Sequence, residues 1–415
     1  MAQIAILGTL DTKGEEHEFL AGLISSRGHT PRLIDVGGRA APTVVPQVTR
    51  EAVAQAAGID LDAVLEKNDR GALVAAMSTA AAAYIQQAHQ RGELDGIISL
   101  GGSGGTAIAC SAMRVLPIGF PKVMVSTMAS GDVQPYVREK DIVMVPSIVD
   151  VAGLNRFSRL IFTRATGALC GMLESEAVSE EERPIIVASM FGNTTECVQR
   201  AKAALEAEGF EVLVFHATGT GGRTMESLIA SGLVAGVFDV TTTEWADEYV
   251  GGILGAGPDR LTAAARHGVP AVVAPGCVDM VNFGEPDSVP AQFAGRQFYQ
   301  HNPQVTLMRT SVEESRGIGK VIASKLNAST GPVSLLLPTK ALSVIGAPGE
   351  SFHLPEADEA LFAALRQNLR EGIEVKEFSG TINDAGFVDL AVKVLLEHLR
   401  SGERKGSSFH QKEEP

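Results

Sequence analysis

One arrangement of residues constrains the fold of this chain more than any other, and it occurs twice. At the start, the apolar segment QIAILG (3–8) ends in a glycine, residues such as Phe19 and Leu23 then recur at helical spacing, and the apolar segment PRLIDVG follows. This order of strand, helix and strand is a βαβ unit. The same order returns in residues 185–222, roughly 180 residues later, a spacing typical of domains rather than of short repeats. The pattern predicts two similar α/β domains.

The length and composition of the chain agree with this interpretation. A chain of 415 residues is longer than one hydrophobic core supports, and its 44 glycines and 45% hydrophobic residues suit helices packed closely on parallel sheets. We expect an α/β protein with two Rossmann-like, doubly wound parallel-sheet domains that face a cleft. The first domain covers residues 1–180 and the second residues 184–400, with a charged linker at 177–184 and a disordered tail at 401–415.

Charge and cysteine content exclude several classes of function. The formal net charge of −14 and the lack of lysine and arginine runs argue against nucleic-acid binding. No segment is long and apolar enough for a membrane span, and the N-terminus lacks a signal-peptide pattern, so we expect a cytoplasmic protein. The four cysteines are scattered, which disfavours a zinc site and is typical of small buried side chains.

The segments that follow the apolar runs are the best candidates for a ligand site. In open parallel α/β sheets, ligands bind beyond the carboxyl ends of the strands. Here these segments are rich in glycine, serine, threonine and asparagine, whose amides and hydroxyls suit phosphates or carboxylates. They are GTLDTKG (8–14), GGSGGT (101–106), TMASGD (127–132), FGNTT (191–195), HATGTGGRT (216–224), TTTEWADE (241–248) and PGCVDMVNFG (275–284).

The loop GGSGGT (101–106) is the sharpest of these signals. It is not a Walker A loop, because no lysine follows the glycines. It contains the string G-x-G-x-x-A (102–107), but the next predicted strand ends in Ser126 and Thr127 instead of the acid that would hold a ribose, and Asp132 comes later. The loop therefore favours generic phosphate binding over dinucleotide binding, and a purely structural turn is the remaining alternative.

Two further positions in the first domain could contact a metal or a ribose. Asp11 and Lys13 stand in one turn, so the aspartate could bind Mg²⁺ while the lysine binds a phosphate. Helix capping by Asp11 or Thr12, with Lys13 in solvent, is the alternative. Asp35 ends the second predicted strand and is a possible ribose or metal ligand.

Candidates for catalysis stand at predicted strand ends of the second domain. His216 could act as a general acid or base, and Arg223 could pair with a phosphate or carboxylate. Cys277 could be a nucleophile beside Asp279, although the sequence fixes no partner histidine for it. For His216 and Arg223, a backbone hydrogen bond and a solvated charge at a helix end are the respective structural alternatives.

Seven motifs, taken in order, resemble those of one protein family. They are LGTLDTKGEEHEFL, SLGGSGGTAI, MVSTMASGDV, VPSIVDVAGLN, SMFGNTT, HATGTGGRTME and APGCVDMVNFG. The chain is similar, over nearly its whole length, to the ATP-binding domain family named after the tomato mosaic virus resistance protein of tomato. The resemblance implies two Rossmann-like domains, ATP binding with a divalent metal, and a homodimer. The plant protein carries an additional TIM-barrel domain, which suggests a separate TIM-barrel protein as a possible partner.

The glycine-rich loops and the family resemblance together predict a protein that binds ATP, with Mg²⁺, at the carboxyl ends of its strands. One alternative is an enzyme, a hydrolase or lyase, that acts on a small phosphorylated or carboxylated metabolite such as a sugar acid. The other is a non-catalytic interaction module regulated by nucleotide. The predicted nucleotide-binding residues are Thr9, Asp11, Thr12, Lys13, Asp35, Gly101, Gly102, Ser103, Gly104, Gly105, Thr106, Ser130, Gly131, Asp132, Gly192, Asn193, Thr194, Gly219, Thr220, Gly221, Gly222 and Arg223.

Overall fold

The computed structural model describes residues 1–175 and 183–406 of the chain. The chain divides into two compact units, Met1–Ser179 and Glu180–Pro415. Each unit contains its own parallel sheet with helices packed on it.

Two segments predicted between and after the domains fall largely outside this description. Residues 177–182 of the predicted linker and residues 407–415 of the predicted tail lie outside the described residues. The last helix of the second unit ends at Gly406, so the predicted tail begins inside a helix.

A five-stranded sheet forms the centre of the first unit. In chain order its strands are β1 (Gln3–Gly8), β2 (Thr30–Asp35), β3 (Gly96–Gly101), β4 (Lys122–Ser126) and β5 (Val143–Pro146). All neighbours are parallel, in the order β2-β1-β3-β4-β5. The direction of winding reverses between β1 and β3, the point of such a sheet at which ligands bind.

Helices cover both faces of this sheet. Side chains of β1 point alternately to the two faces, so Ile4 and Ile6 pack with α1 and α7, whereas Ala5 and Leu7 pack with α4 and α5. Burial on both faces is the reason why β1 and β3 are continuous apolar runs. The helices are α1 (Leu10–Ser26), α2 (Arg50–Ala56), α3 (Leu61–Glu66), α4 (Arg70–Gln90), α5 (Ser103–Arg114), α6 (Gln134–Val137) and α7 (Arg156–Glu174).

The second unit contains a six-stranded parallel sheet and a smaller antiparallel one. The parallel sheet has the order β14-β13-β9-β8-β6-β7, and the antiparallel sheet has the order β10-β12-β11. The strands are β6 (Ile185–Met190), β7 (Glu211–His216), β8 (Val234–Thr241), β9 (Ala271–Gly276), β10 (Met280–Phe283), β11 (Phe298–Asn302), β12 (Val305–Arg309), β13 (Val333–Pro338) and β14 (Glu374–Phe378).

The antiparallel sheet corrects one detail of the sequence analysis. Residues 275–284 are treated there as a single loop, but β10 lies within this segment and pairs with β12. All four residues of β10 are buried. A four-residue apolar stretch between loop-forming residues carries too weak a periodicity to predict such a strand.

Helices also cover the six-stranded sheet, with Ile186 and Ala188 of β6 packing with α8 and α14 on one face.

The predicted α/β class, with Rossmann-like parallel sheets in two domains, is confirmed. Within the residues described, no helix combines the length and the apolar character that crossing a bilayer requires. The helices of this unit are α8 (Thr195–Ala207), α9 (Thr220–Ala230), α10 (Glu244–Val250), α11 (Ala263–His267), α12 (Val312–Asn327), α13 (Pro355–Asn368) and α14 (Ala385–Gly406).

Candidate ligand-binding site

A cavity of about 470 Å³ lies in the first unit where its winding reverses. Its wall combines the residues after β1 and β3, the residues after β2 and β4, and the start of α4. The lining residues are Thr9, Asp11, Thr12, Lys13, Val36, Gly38, Arg39, Arg70, Leu73, Val74, Gly102, Ser103, Gly104, Gly105, Ile108, Thr127, Met128 and Asp150. The loops 8–14 and 101–106, predicted separately from the sequence, therefore meet at one site.

The glycine loop presents the N-terminus of α5 to this cavity. Gly102 is the N-cap residue, and no side chain caps the helix. The first hydrogen bond of the helix joins the Thr106 N–H to the Gly102 carbonyl at 2.9 Å. The amides of Ser103, Gly104 and Gly105 therefore have no acceptor within the helix, and the helix dipole makes this end attractive to anions.

The protein itself does not require glycine at three positions of this loop. Gly102 has φ −83°, and Gly104 and Gly105 also lie outside the left-handed region. A Cβ atom at Gly104 would lie 3.5 Å from Val74 Cγ2, and one at Gly102 would lie 3.8 Å from Thr127 Oγ1, both ordinary contacts. Neither backbone conformation nor packing explains these glycines, and the lack of side chains leaves the loop amides open to the cavity.

Three cationic side chains line the same cavity. Arg39 and Arg70 form no ion pair with any residue that the structure describes. Arg70 lies beside the glycine loop, with Nη2 3.8 Å from the position of a Cβ at Gly104. The ammonium of Lys13 donates to the carbonyl of Val151. The lining of the cavity therefore carries three cationic side chains against two carboxylates, Asp11 and Asp150, and Arg70 is the cation beside the glycine loop.

Some carboxylate oxygens near the cavity already accept hydrogen bonds from the protein. Asp11 Oδ2 accepts from the amides of Gly38, Arg39 and Ala40, the nearest at 2.7 Å, whereas its Oδ1 is buried without a partner. Asp150 also lines the cavity. Across the residues described, no three carboxylate, histidine or cysteine side chains form a metal site by themselves. A divalent cation here would therefore complete its coordination with water molecules or with oxygens of a ligand.

Asp35 does not line the cavity, and its side chain instead binds backbone amides of the protein. Its carboxylate is buried and accepts from the amides of Leu10 at 3.1 Å and Gly37 at 2.9 Å. Burial raises its pKa above the ordinary value. Asp35 therefore fixes the turn after β1 against the end of β2.

Five other residues predicted in the first domain lie outside the lining. Thr106 is buried, with Oγ1 2.6 Å from Ser126 Oγ, and Asp132 accepts from the Gln134 amide at 3.0 Å. Gly101 ends β3, and its Cβ position lies 3.2 Å from the Gly105 backbone. The other two, Ser130 and Gly131, are exposed and do not line the cavity.

The two arginines of the cavity, Arg39 and Arg70, were not among the site residues predicted from the sequence. Arg39 directly follows the glycine pair after β2, so the strand-end rule could have found it. Arg70 is the first residue of α4, behind the N-cap Asp69, and α4 follows other helices instead of a strand. Its local sequence predicts a helix start and carries no ligand signal.

In the second unit, the glycine loop of HATGTGGRT is closed by the protein's own carboxylate. Glu244 Oε1 accepts from the amides of Gly219 at 2.7 Å and Gly222 at 3.0 Å. Glu244 Oε2 accepts from Arg260 Nε at 2.6 Å, and Arg260 also pairs with Asp239. Burial opposes the charge of Arg260, but these carboxylates hold its pKa well above the ordinary value. An internal anion occupies the position that a phosphate would take.

The glycines of this second loop are required by the fold. Gly219 has φ +82°, which disfavours other residues. A Cβ at Gly221 would clash with the His216 carbonyl, and one at Gly222 would clash with the Glu244 carboxylate.

The candidate catalytic residues do not form a shared site in the residues described. Cys277 and Asp279 are fully buried, and burial raises the pKa of both, that of the Cys277 thiol well above its ordinary value. Asp279 accepts from Ser343 Oγ at 2.6 Å. His216 is exposed and stacks on Phe191, and no hydrogen bond joins it to Cys277 or Asp279. A buried protonated thiol is poorly suited to nucleophilic attack.

The remaining predicted residues of the second unit serve local structure. Arg223 Nη1 donates to the Gly255 carbonyl at 3.1 Å, and its Nη2 lies 3.2 Å from Thr220 Oγ1. Thr194 is buried, with Oγ1 2.8 Å from Thr241 Oγ1. The Asn193 carbonyl accepts from Asn383, and Gly192 begins the turn before Thr194.

The fold and the cavity define a two-domain α/β protein in which an uncapped glycine loop of the first unit lines a cavity. Models of the Uncharacterised protein family (UPF0261) match the chain, the N-terminal domain over residues 2–178 and the C-terminal domain over 183–399. The chain belongs to this family.

Proteins with similar sequences support this family assignment. A UPF0261 protein of Clostridium tetani is 48% identical over 95% of this chain and 98% of its own length. The ToMV resistance protein Tm-1(GCR237) of Solanum lycopersicum is 42% identical over 79% of this chain and 45% of its own length. The solved structure of S. aureus MnaA with UDP covers 66% of this chain and 79% of that chain, at 8% identity and a TM-score of 0.24.

Proposed function

We propose that the first unit binds the phosphates of a nucleotide, ATP together with Mg²⁺, in the cavity between the loops 8–14 and 101–106. The observation that carries this proposal is the glycine loop. Its amides face a cavity, no side chain caps them, and neither φ nor packing explains the glycines. Backbone amides at a helix N-terminus are a common way to hold a phosphate.

The other lining residues fit the remaining parts of a nucleotide. Arg39 and Arg70 supply forked donors for phosphate oxygens. Apolar side chains, among them Val74 and Ile108, offer a surface for the base. Asp11, through its unpartnered Oδ1, and Asp150 could bind Mg²⁺, because this ion is usually held by one or two carboxylates together with phosphates.

Calorimetric titration of the full chain with ATP, with and without Mg²⁺, tests the proposal. We expect binding that Mg²⁺ strengthens and that Gly104→Val and Arg70→Ala each weaken by about tenfold or more. Gly131→Val is the matched control, since Gly131 stands in a loop after β4 but does not line the cavity. Absence of ATP binding, or equal binding by the Gly104→Val variant, would refute the proposal.

Other expectations stay predictions that this titration does not address. The homodimer and the separate TIM-barrel partner rest on the family resemblance. Turnover of ATP, as opposed to binding, is measured separately by release of ADP. An enzyme centred on Cys277 and Asp279 is disfavoured, because both side chains are buried.

A further inference from the structure

A second cavity adjoins the proposed nucleotide site in the first unit. Its volume is about 550 Å³, and it shares Gly38, Arg39, Arg70 and Leu73 with the first cavity. A nucleotide of ordinary size fills one cavity of the first cavity's volume. The second cavity therefore offers room for another molecule beside the nucleotide.

The chemistry of the second cavity is set by its shared arginines. Asp69 is the acidic residue of its wall, but its Oδ1 already accepts from the amides of Gly71 at 2.7 Å and Ala72 at 3.2 Å. Neither arginine pairs with a carboxylate in the part of the chain that the structure describes, although the chain carries a net charge of −14. Two arginines without acidic partners at a shared wall favour an anionic ligand.

The rest of the wall favours a ligand with a carbon body. Val64, Leu65 and Leu73 contribute apolar surface, and Asn68 adds a polar side chain. A planar carboxylate matches the forked donors of an arginine, and the apolar residues can cover the attached carbon chain.

We propose that the second cavity binds a small organic carboxylate next to the phosphates of the nucleotide, with Arg39 and Arg70 between the two ligands. This inference rests on the proposed nucleotide site. It assigns Arg39 and Arg70 a double role, and it assigns Val64 to the carboxylate site alone.

The test uses the full chain saturated with Mg²⁺ and a non-hydrolysable ATP analogue. Acetate, glutarate and citrate are titrated in turn by calorimetry, and inorganic phosphate is titrated in parallel. We expect at least one carboxylate to bind. Val64→Trp, which fills the second cavity, should weaken that carboxylate by about tenfold or more while the affinity for the analogue stays unchanged.

A second variant keeps the test decisive if the Val64→Trp protein does not fold. Arg39→Lys keeps the charge but removes the fork, so it should also weaken the carboxylate. No binding of any of the three carboxylates, or carboxylate binding by both variants as tight as that of the wild type, would overturn the inference. Phosphate binding with the same sensitivity to Val64→Trp would overturn the carboxylate assignment. If the analogue itself fails to bind, the proposed function fails, and titration of the nucleotide-free protein still decides whether the second cavity takes a carboxylate.

Discussion

The two units place a glycine-rich loop at the start of a helix in the same way, but they use it differently. In the second unit the carboxylate of Glu244 accepts from the loop amides and is itself held by the buried Arg260. In the first unit no side chain caps α5, and its loop faces a cavity with Arg70 beside it. The same sequence signal is thus satisfied by an internal carboxylate in one unit and left open to a cavity in the other, and contacts between residues distant in the chain decide which.

The largest expected effect comes from removing the internal anion. Glu244→Ala should lower the free energy of unfolding by about 3–5 kcal/mol, because it leaves a buried arginine and two loop amides short of a partner. Arg70→Ala, which removes an exposed side chain beside the glycine loop of the first unit, should change stability by no more than about 0.5 kcal/mol. Urea denaturation followed by circular dichroism measures both. An equal loss of unfolding free energy in the two variants would contradict the proposed difference between the loops.

Two buried side chains, His17 in the first unit and Asp247 in the second, should contribute to stability with opposite dependence on pH. Burial lowers the pKa of His17 from 6.5 to about 4, so its contribution to the first unit is present above pH 6.5 and is lost as the pH falls towards 4. Burial raises the pKa of Asp247 from 3.8 to about 7, so its contribution to the second unit is present below pH 4 and is lost as the pH rises through 7. The effect is on the order of 3 kcal/mol for His17 and 4 kcal/mol for Asp247.

Matched variants separate these two effects. Trp245, the single tryptophan, is buried in the second unit, so its fluorescence follows the unfolding of that unit. Asp247→Asn should flatten the pH dependence of the urea midpoint seen by fluorescence, and His17→Asn should leave it unchanged. A fluorescence midpoint that rises between pH 4 and 7 in the wild type would contradict the assignment.

Glycine substitutions give a more local comparison. Gly221→Ala should destabilise the second unit by about 1–3 kcal/mol, because the added methyl group clashes with a backbone carbonyl that cannot move freely. Gly104→Ala should leave the stability of the first unit unchanged or slightly raised, since the added Cβ makes ordinary contacts. Thermal denaturation of the two variants measures the contrast, and a large loss in Gly104→Ala would mean that the first loop also needs its glycine for folding.

The smallest expected effect concerns the loop that brings Asp150 to the cavity. Ile148 has φ +65°, unfavourable for a β-branched residue, and it is 71% exposed. Ile148→Gly should therefore stabilise the first unit by about 0.5–1 kcal/mol, after the entropic cost of glycine. Val149→Gly is the control and should destabilise, since Val149 is not in the left-handed region. Urea denaturation that shows equal losses for both variants would exclude strain at Ile148.

Much of the fold could be predicted because its signals are local. Continuous apolar runs such as β1 and β3 follow from burial on both faces of a parallel sheet, and they alternate with amphipathic helices. The predicted α/β class was confirmed for this reason. β10 was missed because its pairing partner, β12, is distant in the chain and its own four residues carry little pattern.

The candidate site was less predictable because it depends on distant contacts. The loops 8–14 and 101–106 follow neighbouring strands, so the strand-end rule places both at one edge. Arg70 reaches that edge from a helix that no strand precedes directly. Glu244 was visible in the sequence, but its bonds to the second loop join residues 22 and 25 positions apart, which follow two different strands, β7 and β8.

Hydrogen exchange with and without ATP and Mg²⁺ tests the central difference between the loops most directly. The account predicts that the amides of Ser103, Gly104 and Gly105 exchange more slowly when the nucleotide is present, because phosphate oxygens then accept from them. It predicts no change at Gly219 and Gly222, whose amides already donate to Glu244. Slower exchange at Gly219 and Gly222, or no change at the first loop, would contradict the account.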